Sequence, residues 1–319
     1  MPFDRQATLA SPTGAAINLY TRKAEGSARA VVQINHGLAE HAARYERFAD
    51  FLAERGFHVY AHDHRGHGYT KAPDAPPGKF GQPDGAEKAL ADIGAVHDLV
   101  AQEHPGLPVI LFGHSLGGVL ALNFMLQNSA RLHGAAMWNA NVSAGLSGRA
   151  AQAILAWEKF RLGSDVPSRV LPKLTFEAWG KAVPGHRTLF DWLSRDPAEV
   201  EKYIADPLCG WGASVSLWQD IFGLIFQGAD DRNFVRARRD LPVLLVGGGK
   251  DPATDGGKAV RHLHDRMRRM GFSRLALKID PEARHECLND LDRDAVMADF
   301  VSWVEGVIEH KRIGTAQVS

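Results

Sequence analysis

Residues 111–118 read LFGHSLGG. They contain G-x-S-x-G as Gly113, His114, Ser115, Leu116 and Gly117. The apolar run PVILFG (108–113) precedes the serine, and a helical pattern, GVLALNFMLQN (118–128), follows it. A strand, a tight turn with small residues on both sides and a helix N-terminus form the setting in which a serine is held as a nucleophile. The helix N-terminus also favours negative charge developing beside it. A glycine-rich turn with an incidental serine is the bland alternative, and the flanking strand and helix weigh against it. Ser115 is therefore the candidate nucleophile.

A serine nucleophile needs a base, and the base needs an orienting acid. Behind such an elbow the chain order is serine, acid, histidine. The base is expected in a loop after the last strand, where IDPEARHECL (279–288) supplies His285. His262, His264 and His310 fall within helical patterns. The acid is expected after the preceding strand, where LLVGGGKDPATD (244–255) supplies Asp251, with Asp255 as competitor. Asp251 stands nearer the strand end, where sites form in such sheets, and Asp255 reads as the N-cap of the next helix. The oxyanion needs two backbone donors. One is expected from the N–H of Leu116, and the other from NHGLAEH (35–41), near Leu38, where Gly37 lets the loop bend close.

Around these motifs, short apolar runs alternate with helical patterns. AVVQIN (30–35), FHVYAHD (57–63), GAAMWNA (134–140), LPVLLVGG (241–248) and SRLALKID (273–280) read as further strands. Helices are expected over 45–56, 85–105, 254–271 and 291–310. ATLA and AAINLY, joined by a turn at 11–14, read as an antiparallel entry. Alternation of this kind implies a parallel sheet covered on both faces. The rhythm stops between 143 and 236, a stretch that holds five of the seven tryptophans.

The chain has 319 residues, with 37 basic against 37 acidic side chains. A net charge of +0 gives no electrostatic reason to expect nucleic acid or an anionic membrane as main partner. Two cysteines, Cys209 and Cys287, form no disulfide framework or zinc ladder. No signal-peptide pattern opens the sequence and no stretch approaches 18 apolar residues, so a cytoplasmic protein is expected. GGGKDPATDGGK lacks the P-loop spacing, since Ala259 follows Lys258.

One stretch competes for attention. AHDHRGHGYT (61–70) places His62, His64 and His67 in a spacing close to that of metallo-β-lactamase-type hydrolases. Gly66, however, stands where such a site wants an aspartate. The stretch reads better as a strand end and turn, with Asp63 and Arg65 as partners in a polar network bracing the loop and Gly66 and Gly68 permitting a tight path. No metal is expected, and activity should survive a chelator. Loss with EDTA and recovery with zinc would reinstate a metal site.

Taken together, residues 35–70, GHSLGG, KDP and RHE resemble the α/β-hydrolase superfamily. Within it they are most similar to the monoacylglycerol lipase and lysophospholipase group, often labelled serine aminopeptidase S33-type. The resemblance spans most of 15–310, and SRDP and ADPLCGW look like that group's lid. It implies a mostly parallel eight-stranded sheet with helices on both faces and a helical cap inserted after the sixth strand. The organisation expected is core over 1–142, cap over 143–236, core over 237–310 and a loose tail over 311–319. The resemblance carries the nucleophile, acid and base roles to Ser115, Asp251 and His285, and the oxyanion roles to Leu38 and Leu116. It implies hydrolysis of a single-chain lipid ester without a cofactor. Membrane-surface contact would be at most transient and made through the cap. A peptidase or amidase with the same triad and a catalytically weak binding protein are the alternatives. Tyr69-Thr70 departs from the group's usual small residue then serine, which bears on loop packing.

Overall fold

The computed structural model describes residues 3–143 and 145–316, with side chains through Glu309. Eight strands form one sheet: β1 (Arg5–Ala10), β2 (Ala16–Arg22), β3 (Ala30–Asn35), β4 (Phe57–His62), β5 (Val109–His114), β6 (Gly134–Trp138), β7 (Val243–Gly248) and β8 (Leu275–Asp280). Their order is β1-β2-β4-β3-β5-β6-β7-β8. The pairs β1–β2 and β2–β4 are antiparallel and the rest are parallel. This is the α/β-hydrolase architecture.

The central strands are apolar on both faces because both faces are covered. Along β5 the side chains alternate. Ile110 and Phe112 enter the layer formed with α1 (Glu46–Ala53) and α10 (Arg293–Ala316). Leu111 enters the layer formed with α2 (Gly85–Glu103) and α3 (Leu116–Asn128). In the first layer the Phe112 ring lies 5.3 Å from Phe48, 5.1 Å from Trp138 and 5.7 Å from Phe300. These edge and tilted contacts add to the area each ring buries. They fix β5 rigidly, and Ser115 sits at its end.

Between β6 and β7 lie α4 (Gly145–Leu162), α5 (Leu171–Leu174), α6 (Phe176–Ala182), α7 (Pro197–Ala205) and α8 (Val215–Ala229). This inserted segment packs its aromatic side chains together. Trp192 lies 5.8 Å from Phe176 and 4.9 Å from Trp179, and its ring also lies 4.8 Å from His285. After β7 come α9 (Lys258–Arg269) and, following β8, α10. The expected loose tail begins at 311, yet α10 continues to Ala316. Extending a helix already fixed by packing gains one hydrogen bond per added residue. Residues 317–319 lie outside the described residues, as does the side chain of His310.

The histidine loop is built differently from the sequence reading. Asp63 and Arg65 are not partners. Asp63 accepts from Asn18 Nδ2 and from the Ala42 and Tyr69 amides. Arg65 pairs with Asp74 at 2.9 Å and Asp92 at 3.5 Å. The two side chains serve different neighbours: Asp63 ties the loop to β2 and the Ala42 amide, and Arg65 reaches the carboxylates of Asp74 and Asp92. The glycines behave as expected. Gly66 has φ +72, and a Cβ there would stand 1.9 Å from the Lys79 carbonyl oxygen. At Gly68, φ is +49 and a Cβ would meet the Asp63 carboxylate at 2.3 Å.

One carboxylate at the junction of core and insert titrates in an unusual range. Asp220 on α8 faces the N-terminus of α2, its Oδ2 2.3 Å from where a Cβ on Gly85 would stand. Burial, reinforced by Glu87 and opposed by the Ala86 amide, pushes it up to about 7. The folded chain therefore binds a proton that the unfolded chain has already lost at mildly acidic pH. The stability this gives is complete below the ordinary aspartate range, about pH 4, and is lost as pH rises towards 7. Asp220→Asn should flatten that decline. Its melting temperature should exceed the parent's at pH 8 and match it at pH 4.

Candidate active site

The turn between β5 and α3 sets the first candidate residue. Ser115 has φ 54 and ψ −118, a conformation that side-chain-bearing residues avoid and that costs about 1–3 kcal/mol. The strain is held by neighbours. The Ser115 amide donates to the Trp138 carbonyl at 2.9 Å, and its own carbonyl accepts from Val119 at 3.1 Å. Only glycine fits on either side: a Cβ on Gly113 would lie 2.1 Å from the Gly117 carbonyl oxygen, and one on Gly117 would lie 2.0 Å from that of Asn35. Leu116 is the first residue of α3, so its amide is among those without an intrahelical acceptor.

Asp251 follows β7 and is fully buried. It accepts from the Ala253 amide at 2.9 Å, which makes it the N-cap of the short 3-10 helix Pro252–Thr254. Its Oδ2 also accepts from Asn139 Nδ2 at 3.0 Å and Thr254 Oγ1 at 2.7 Å. The same oxygen lies 2.9 Å from His285 Nδ1. Burial alone would raise this carboxyl, but the His285 charge and the donated hydrogen bonds outweigh it and hold it below its ordinary value.

His285 stands in the loop after β8, as expected. Its amide donates to the Trp192 carbonyl at 3.2 Å, and that of Glu286 donates to the Leu193 carbonyl at 2.7 Å. The loop that carries His285 is thus fastened to the inserted segment. Asp255 is elsewhere: it has φ 53, its side chain is exposed, and it pairs with Lys258 at 3.0 Å. It does not cap α9, whose N-cap position is Gly257. Two consecutive left-handed glycines, Gly256 and Gly257, delay the helix past the aspartate.

Ser115, Leu116, Leu38 and His285 line one cavity of about 500 Å³. Its far wall comes from the insert, with Ile154, Phe176, Trp179, Trp218, Ile221 and Phe222. Among the described residues lining it there is no aspartate, glutamate, lysine or arginine. Asp230 and Asp231, the acidic pair in the insert, are engaged by Arg232 and Arg266 instead.

His62, His64 and His67 do not converge on a point. Among the described residues, one group brings ligand atoms within 4.8 Å of one another, and it is His41, Asp206 and Cys209. His64 is tied to His36, whose Nε2 accepts its amide at 2.9 Å, and His67 Nδ1 lies 3.0 Å from the Arg65 carbonyl. Burial lowers His62 and His67 to about 4, so both are neutral rings packed in the loop.

Sequence reasoning missed a buried ionic group behind the serine. Glu40, Arg44, His114 and Glu286 join across three separate motifs. The one local signal was Glu40 and Arg44 at i,i+4 in AEHAAR.

A family model described as "Serine aminopeptidase, S33" matches residues 26–292. Monoacylglycerol lipase of Mycolicibacterium smegmatis is 32% identical over 280 residues, covering 86% of this chain and 88% of that protein. Human monoglyceride lipase is 29% identical over 235 residues, covering 73% of this chain and 69% of that one. The crystal structure of a thermostable carboxyl esterase from Bacillus coagulans in complex with glycerol superposes with a TM-score of 0.87 at 23% identity, covering 95% and 98% of the two chains.

Proposed function

Because the chain belongs to the serine aminopeptidase S33 family of α/β-hydrolases, we propose that it hydrolyses carboxylic esters of single-chain lipids, a monoacylglycerol or lysophospholipid, through Ser115, His285 and Asp251. The observation that carries this reading is the 2.9 Å contact between His285 Nδ1 and the buried Asp251, beneath a cavity that Ser115 also lines.

With Nδ1 committed to Asp251, Nε2 is the nitrogen that takes the serine proton. Ser115 Oγ attacks the ester carbonyl carbon while its proton passes to His285. The tetrahedral oxyanion is stabilised by the N–H groups of Leu38 and Leu116. Collapse breaks the bond to the leaving oxygen, which takes the proton from His285 and departs as the alcohol. Water, deprotonated by His285, then attacks the acyl-enzyme and releases the fatty acid and Ser115. Asp251 holds the ring in orientation and stabilises its cationic form throughout.

The cavity supports the lipid. Its volume lies in the range of ligand pockets, and its insert-derived wall is aromatic and aliphatic. Each methylene buried there contributes about 0.8 kcal/mol. An aminopeptidase would need a carboxylate to bind the substrate's ammonium group, and the described lining offers none. The helices of 143–236 act as the cap over the acyl chain. Leu146 and Phe160 on α4 are 85% and 89% exposed and flank Arg149, Lys159 and Arg161. That face makes transient contact with a membrane surface, from which lipid enters.

The test is a substrate panel: acyl p-nitrophenyl esters of increasing chain length, monoacylglycerols, lysophospholipids and aminoacyl-naphthylamides. Ester turnover that improves with chain length, with amides poor, is expected. Amide turnover exceeding ester turnover would replace this reading with the peptidase.

A further inference from the structure

Behind the elbow, Glu40, His114 and Glu286 are buried and Arg44 is nearly so, and none of the four lines the cavity itself. Glu40 lies in the loop after β3, two residues past Leu38. Its Oε1 accepts from the Gly37 amide at 2.5 Å and from Tyr45 Oη at 2.9 Å. The same oxygen is 3.5 Å from His114 Nδ1. His114 Nε2 lies 3.0 Å from the carbonyl oxygen of His285, and the two rings are 4.9 Å apart. Arg44 closes the circuit. It donates to Glu40 Oε2 at 2.5 Å and to both oxygens of Glu286, at 2.8 and 2.7 Å. Glu286 follows His285 in the chain.

Burying charge is costly unless every member is paired. Nothing in a hydrolase core of this type requires these groups for packing alone, since apolar residues of similar size would be cheaper to bury. The pairing has a specific geometry instead. Each end of the circuit holds a different part of the proposed machinery. Gly37 leads into Leu38, and a Cβ on Gly37 would stand 3.3 Å from Ser115 Cβ, so that loop touches the serine. The carbonyl that His114 engages belongs to His285 itself.

We propose that Glu40 and His114 are positioning residues that lock the Leu38 loop and the His285 backbone in one fixed relation, with Arg44 joining Glu40 to Glu286. The inference rests on the serine-hydrolase reading above. His114 Nε2 donates to the His285 carbonyl, and its Nδ1 faces the Glu40 carboxylate at an ion-pair distance of 3.5 Å. Only the imidazolium has N–H on both nitrogens. Consistent with that, burial would lower His114, but the contact with Glu40 outweighs it and holds the ring above its ordinary value. Glu40 would be raised by burial, and the Arg44 charge, His114 and the Gly37 amide together bring it well below its ordinary value. The circuit also reaches the insert: the Arg44 guanidinium stacks 4.9 Å from the Tyr203 ring, whose hydroxyl donates to the Ala39 carbonyl at 3.0 Å.

The experiment measures kcat and KM on an acyl ester for the parent, Glu40→Gln, His114→Gln and the double variant, with melting temperatures alongside. A parent enzyme inactive on esters, or one whose turnover survives Ser115→Ala, would refute the serine-hydrolase reading before the circuit is tested. Given Ser115-dependent activity, each single variant should lose about 10- to 100-fold in kcat with KM nearly unchanged, since small displacements of reacting groups cost this much. The double variant should be no worse than the poorer single, because both remove the same link. Singles that keep kcat within about twofold, or losses that multiply in the double variant, would overturn the proposal. A purely structural role would lower the melting temperature and leave kcat intact. Should Glu40→Gln be too unstable to purify, kcat for His114→Gln decides by the same criterion.

Discussion

Ser115→Ala should abolish turnover of an acyl ester, lowering kcat by about 10⁵- to 10⁶-fold, the scale seen when a triad serine is removed. The size follows from how the roles are divided. Without Oγ there is no acyl-enzyme, and His285 has no proton to receive. What remains is the cavity and two backbone amides, which together give a small residual rate over water. The fold should survive. Alanine keeps the Cβ that already sits at φ 54, so the strain is neither added nor relieved. Ser115→Gly separates the two quantities further. It removes the nucleophile and also the Cβ penalty, and should be as inactive as Ser115→Ala yet more stable by about 1–3 kcal/mol in denaturant unfolding. An alanine variant with substantial activity would remove Ser115 from the chemistry.

The second large effect is expected at Asp251. Asp251→Asn should cost about 10⁴-fold in kcat, as in triads where the acid becomes an amide. Asparagine is nearly isosteric, so the hydrogen bonds from Ala253, Thr254 and Asn139 can partly persist. Its amide, however, can present N–H to His285 Nδ1, which turns the imidazole to the wrong tautomer. Loss of the carboxylate also leaves the imidazolium formed during the reaction without its counter-charge. Asp255→Asn is the matched control. Its side chain is exposed and its partner is Lys258, so kcat should stay within about twofold of the parent. If Asp255→Asn were the damaging change and Asp251→Asn the silent one, the acid would have been assigned to the wrong position.

The parts that the sequence made legible are those encoded by contiguous residues. The apolar run ending at Gly113, the serine and the helix beginning at Leu116 are neighbours in the chain, so local sterics dictate the elbow. The βα rhythm is likewise local, and it yields a parallel sheet because only that arrangement buries strands apolar on both faces. The position of Asp251 was legible because strand ends fall on one edge of such a sheet.

Long-range pairings were not legible. Arg44 meets Glu286 across 242 positions, and His114 meets the His285 carbonyl across 171. A side chain in a loop carries no mark of which distant segment will face it. The same limit explains Asp63 and Arg65, read as partners from their closeness in sequence and found serving Asn18 and Asp74 instead. Asp255 was misread as a cap for a smaller reason. An aspartate before a helical pattern is a sound cap signal, but the glycines after it shifted the helix start to Lys258.

The central claim is that Ser115 is the nucleophile, activated by His285 and Asp251. The most direct measurement is reaction with a fluorophosphonate followed by peptide mapping in a mass spectrometer. One phosphonyl group per chain on Ser115, with loss of ester hydrolysis in step with labelling and much slower labelling of Asp251→Asn, is the predicted result. Full hydrolytic activity in a chain that resists labelling, or stoichiometric modification of a residue other than Ser115, would contradict it.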